Sequence, residues 1–156
     1  MQADLWTFAV TLYQRPGVSD DCLALQDQGA NVCLLLCGVW LEQRQVACTP
    51  ERLATLQALA QAWSSTVVEP LRTLRQQWRE QAQHDAPLAQ LREAVKGLEL
   101  QAERVLLERL EQACTPWMAQ TAGASWLEAV MPGRHGLAEQ ASRGALHRLR
   151  AAVPDA

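Results

Sequence analysis

Residues 49–81 read TPERLATLQALAQAWSSTVVEPLRTLRQQWREQ, and this stretch decides the fold class. Thr49 offers a side-chain cap, Pro50 fits the first helical position, and Glu51 sets an acid in the first turn. From there Leu53, Leu56, Ala60, Trp63, Val67, Leu71, Leu74 and Trp78 recur at steps of three and four, the period of one helical face. The stripe stays in register through Pro70. An interior proline removes a backbone hydrogen bond and crowds the preceding turn, so a kinked helix, or two nearly continuous ones, is expected over Glu51–Gln81.

Outward from this stretch the same texture holds. After the polar link 83–87, Leu88, Leu91, Val95, Leu98, Ala102 and Val105 form a second stripe; its seven-residue period predicts a long helix packed at a shallow angle on a neighbour. The short link makes the two long segments an antiparallel hairpin. Upstream, Asp4 caps a short helix with Leu5, Phe8, Ala9 and Leu12 on one face, ending before Pro16–Gly17. Ser19 is the expected cap of a second helix, with Asp20 and Asp21 in its first turn. Gly29 breaks the chain before a third helix, apolar all round from Val32 to Leu41, which belongs at the centre. The expected architecture is an all-α, single-domain helical bundle with a long antiparallel hairpin around a central apolar helix. Residues 1–115 form the helical core, and 116–156 an irregular segment and a C-terminal amphipathic helix (Leu137–Val153) packed on it.

Composition agrees. The 156 residues include 25 Ala, 24 Leu and 17 Gln but no Ile, which favours helix over strand. Six of the eight aromatic residues are Trp, large anchors expected to organise the core. The net charge of -3 gives no field that favours nucleic acid or membrane. The longest apolar run, Val32–Leu41, is half the length of a membrane span. The N-terminal residues do not read as a secretory signal, and five cysteines without one predict reduced thiols, no disulfides and a cytoplasmic location.

Chemistry-bearing patterns are sparse. Cys33 and Cys37 lie four apart on the apolar helix and read as packing residues; Cys22 is expected to be more exposed, and Cys48 and Cys114 have no partner spacing. Arg72, Arg75 and Arg79 share a helical face and, with Lys96, suggest a site for a phosphate or carboxylate. The alternative is internal pairing with Glu93, Glu99 or Glu103 of the second long helix, Arg75 falling opposite Glu93 and Arg72 near Lys96 and Glu99. Glu99 and Glu103, four apart, are spaced for acid–base or cation chemistry but read first as partners of arginine. His84, His135 and His147 sit where no nucleophile–base pair can be assembled. There is no phosphate loop, dinucleotide fingerprint or zinc signature, so no catalytic residue, metal site or cofactor is assigned. Residues 132–152 carry four Arg against one Glu, a basic tail suited to an acidic surface or to docking on the bundle.

Several stretches together are family-like: Leu5-Trp6-Thr7-Phe8 with Tyr13 and Pro16-Gly17-Val18; Cys22-Leu23-Ala24-Leu25-Gln26-Asp27; Asn31-Val32-Cys33-Leu34-Leu35-Leu36 with Trp40-Leu41; and Glu69-Pro70-Leu71-Arg72-Thr73-Leu74-Arg75. They resemble the short proteobacterial proteins grouped as domain of unknown function 2390, over about the first 105 residues. The resemblance implies a bacterial, cytoplasmic, helical protein and supplies no activity to carry over. It directs attention to the polar members of these motifs: Gln26, Asp27, Asn31, Arg72 and Arg75. Two functional expectations follow. The first is a non-catalytic helical interaction or accessory protein with a protein partner. The second is a small-molecule binding protein or enzyme whose anion site is built from Arg72, Arg75 and Lys96, with Gln26, Asp27 and Asn31 fixing the rest.

Overall fold

In a computed structural model, the structure describes residues 3–117, 119, 125–131 and 137–153, the last segment with side chains from 141 onward. The described chain is an all-α helical bundle. Helix α1 (Leu5–Tyr13) starts where the Asp4 carboxylate accepts from the Thr7 amide at 2.7 Å, and it buries Leu5, Phe8, Ala9 and Leu12. The turn that follows needs a left-handed residue, and Gly17 supplies it at φ 81°. Gly17 therefore precedes α2 (Val18–Asp27) directly, and the expected cap Ser19 lies inside the first turn. Asn31 caps α3 (Val32–Gln43) by accepting from the Leu34 amide at 3.1 Å.

Helix α3 buries every residue from Cys33 to Leu41, as its all-round apolar sequence predicts. It touches α1, α2, α4, α6 and α7, which makes it the axis of the bundle. Gly38 leaves room for the approach of α7. A Cβ there would lie 3.2 Å from the Cβ of Trp126 in α7.

Helix α4 (Pro50–Trp63) begins at the Thr49 cap, whose hydroxyl accepts from the Arg52 amide. It passes into α5 (Glu69–Gln77) through one wide π-turn, Ser64–Val68. The break comes just before the proline, because the Pro70 ring would strike the carbonyl one regular turn back, and a widened turn moves that carbonyl away. A 3-10 turn (Gln81–Gln83) leads to Asp85, the cap of the long helix α6 (Ala86–Cys114).

The hairpin is unevenly embedded. The buried residues of α6 crowd into its second half, α4 buries Leu56 and Ala60, and α5 buries none. Helix α5 packs on α6 and on the π-turn. The hairpin base thus belongs to the bundle, while α5 and the first half of α6 form a two-helix arm.

Beyond Cys114 two further helices are described, α7 (Trp126–Val130) and α8 (Leu137–Ala151), packed on α3 and α2 respectively. Trp126, Leu127, Ala145, Leu146 and Leu149 lie in the same apolar cluster as α3. Trp126 is fully buried, donates to the Val46 carbonyl at 2.8 Å and stacks on Trp117 with centroids 6.0 Å apart. Trp40 and Trp63 likewise tie chain segments together, donating to the carbonyls of Ala3 and Ala102. No described helix is long and apolar enough to cross a membrane.

Candidate polar cleft and the hairpin arm

The arginine pattern on α5 resolves into an internal ion network. Arg72 Nε donates to Glu99 at 3.1 Å, and Arg75 Nε donates to the other oxygen of the same carboxylate at 2.7 Å. Arg72 reaches Glu103 only at 3.5 Å. The backbone register is close to the expected one, since Arg92 Nε donates to the Arg75 carbonyl, and Arg72 meets Glu99 as expected, but the Arg75 side chain reaches further along α6. Arg75 therefore passes Glu93, which pairs with Lys96 at 3.2 Å at the surface. Lys96 stands outside the Arg72–Arg75 group.

Three of the residues marked out by the sequence converge. Gln26, Asn31 and Arg72 line one cleft of about 110 Å³ with Ser64, Glu69 and Glu103. Asn31 has two roles: its oxygen caps α3, and its amide donates to Ser64 in the π-turn at 2.8 Å. The wide turn thus places Ser64 against the α2–α3 junction. Asp27 is exposed on the last turn of α2 and is not part of the lining.

The two carboxylates beside the cleft titrate in opposite directions. Burial acts to raise the pKa of Glu99, but hydrogen bonds from Arg75 and Arg72 outweigh it, and the net shift is downward. For Glu103 burial prevails, reinforced by the charge of Glu99, and its pKa rises. The cause is geometric: Glu99 takes the short arginine bonds, leaving Glu103 with one long contact.

Other candidates find structural places. Cys22 is fully buried on the inner face of α2, contrary to the exposure expected for it, and burial pushes its thiol up to about 12. Cys33 is buried and donates to the Glu103 carbonyl at 3.9 Å. His84 and His147 are exposed, and His135 lies outside the described residues. Among the described residues no group of three or more His, Cys, Asp or Glu could hold a metal ion. Two bases of the tail are engaged internally: Arg148 with Asp21 at 2.8 Å, and Arg150 with Glu42 at 2.9 Å and with Glu128 and Ser125. Ser64 and the Glu42–Glu128–Arg150 cluster carry no sequence signal, since their partners lie far away along the chain.

On the arm, Leu91, Leu98 and Leu100 remain half-exposed or more. Leu91 and Leu98 are seven residues apart and fall on one line of α6, which continues through partly buried Val105.

The family described as "protein of unknown function (DUF2390)" matches residues 4–110. The chain belongs to this family. No curated protein and no solved structure matches it. The DUF2390 match takes in the cleft residues, the whole of the arm and most of α6. Helices α7 and α8 lie beyond the matched DUF2390 span, although they complete the apolar cluster around α3.

Proposed function

We propose that this DUF2390 protein is a non-catalytic helical interaction protein, and that its α5–α6 arm is the docking element. The observation that carries this reading is the arm itself. Helix α5 buries no residue, yet the arm holds Leu91 and Leu98 at least half exposed on a seven-residue line. A line of that period accepts a third helix at a shallow crossing angle, the arrangement by which an amphipathic partner helix packs on a helical pair. The arginines support the arm from within: paired with Glu99, they hold α5 on α6 and leave the apolar line outward.

A photo-crosslinking residue placed at Leu98 in cells tests this, with exposed Ala58 of α4 as the control position. The expected result is one discrete adduct from position 98 and none from 58. An adduct of twice the chain mass identifies the partner as a second copy. Equal smears from both positions, or no adduct from either, overturn the reading.

A second reading rests on the cleft. Arg72 is committed to Glu99, so the site expected to grip an anion is instead rich in acceptors, with Glu103, Glu69, Ser64 and Gln26 facing about 110 Å³. A small ligand carrying an ammonium or amide group is the chemistry that suits it. Calorimetric titration with putrescine and with inorganic phosphate separates the cases. Binding of the amine, lost in Glu103→Gln, supports the cleft as a ligand site; binding of phosphate alone, or of neither, removes this version of it.

A further inference from the structure

Cys37 and Cys114 are 77 residues apart in sequence, and their sulfur atoms touch at 4.0 Å. Cys37 sits in the middle of α3, fully buried; Cys114 ends α6 and is 5% exposed. Neither takes part in the ion network, the cleft or the arm. Behind Cys114 the surface is open: it lines a groove of about 360 Å³ together with Trp40, Arg44, Glu111 and Trp117. Cys114 therefore stands at the wall of a solvent groove, and Cys37 lies behind it.

We propose that Cys37 and Cys114 are a disulfide-forming pair that closes when a small hydroperoxide enters this groove. Cys114 Sγ attacks the distal peroxide oxygen, the O–O bond breaks, and the thiol proton leaves on the departing oxygen as water or alcohol. The product is a sulfenic acid on Cys114. Cys37 Sγ then attacks the Cys114 sulfur, the S–O bond breaks, and the Cys37 proton leaves with the hydroxide as water. Two thiols are oxidised to one disulfide, and one peroxide is reduced. Bonding requires the sulfurs to close from 4.0 Å to about 2 Å. The hydrogen bond shared with Cys114 and burial both keep Cys37 a thiol, which suits it to the second step rather than the first. The other three cysteines differ: Cys22 is buried, Cys33 is buried with its thiol on the Glu103 carbonyl, Cys48 is half-buried, and no sulfur–sulfur contact joins them among the described residues.

The test treats the folded full-length protein with millimolar hydrogen peroxide, blocks remaining thiols and maps peptides without reduction. The expected map shows a Cys37–Cys114 linked peptide, with free thiols falling from five to three and the circular dichroism unchanged. In Cys37→Ser the linked peptide disappears and a dimedone adduct accumulates on Cys114. If a variant fails to fold, the wild-type map alone decides. Oxidation confined to Cys48, a linkage between any other pair, or intact thiols at positions 37 and 114 overturns the proposal.

Discussion

Glu99 and Glu103 stand one turn apart on α6, yet the fold shifts their pKa values in opposite directions. The depressed pKa of Glu99 contributes stability that is present above the ordinary carboxylate range and is lost as pH falls through the folded value. The raised pKa of Glu103 has the reverse sign: its ionised form costs stability at neutral pH, and the cost is relieved as the group protonates. Glu99→Gln is therefore expected to destabilise the protein by about 1–2 kcal/mol at neutral pH, allowing for partial exposure of the arginines. Glu103→Gln is expected to leave stability unchanged or to raise it. Urea unfolding at pH 7 and pH 4 checks both signs, and equal losses at pH 7 would contradict the geometry. The arginine face and its acidic partners were legible from spacing alone. So was the nearness of Arg72 to Glu99, but not the choice of Glu99 over Glu93 by Arg75, because an arginine side chain reaches well along a helix. Asn31 was visible as a polar residue beside leucines, but its second bond, to Ser64, depends on a tertiary contact.

Among the described elements, α5 is held chiefly from one side. Its ties are α6, through Arg72, Arg75 and the Arg92 bond to the Arg75 carbonyl, and the π-turn. An element with no buried residue opens at lower free energy than the bundle axis. Hydrogen exchange is expected to show α5 amides exchanging well before those of α3, and Glu99→Gln to accelerate α5 while leaving α3 unchanged. Helix α8 is fastened at its far end by Arg150, whose hydrogen bond holds the Glu128 carboxyl down at about 2. Because that pKa is depressed, the contribution is fully present above the ordinary carboxylate range and fades as pH falls toward 2. Arg150→Ala is expected to cost about 1 kcal/mol at pH 7, with the gap from wild type narrowing below about pH 4 in urea titrations. The helix starts at Asp4, Thr49 and the polar link could be read from capping residues and punctuation. The π-turn could not, since proline announces a break without saying which neighbouring turn absorbs it.

For the molecule as a whole, apolar residues divide into those that hold the bundle and those that face outward. Trp126 and Leu106 are buried at its centre, and truncating them is expected to be costly: about 3–5 kcal/mol for Trp126→Ala and about 2–5 kcal/mol for Leu106→Ala by chemical denaturation. The all-α architecture and the central α3 were legible because periodicity and composition act over many residues. Trp126 and Leu127 were not, since a five-residue helix is too short to show a period, and their burial is decided by α3 and its Gly38. Likewise the seven-residue stripe of α6 predicted a packed helix, but only its second half is well buried; Val95 and Ala102 turn inward while Leu91 and Leu98 face out. A hydrophobic stripe says that a face wants cover, and in this arm the described residues do not provide it. The most direct measurement is the double variant Leu91→Ser/Leu98→Ser, assayed for unfolding free energy and for its crosslinked adduct, with the photoreactive residue moved to neighbouring Ala94. The account predicts stability within about 0.5 kcal/mol of wild type and loss of the adduct seen from Ala94 in the unsubstituted chain. Stability falling by several kcal/mol, or an adduct that persists unchanged, would show that these leucines serve the fold or nothing at all, and would contradict the arm as a docking element.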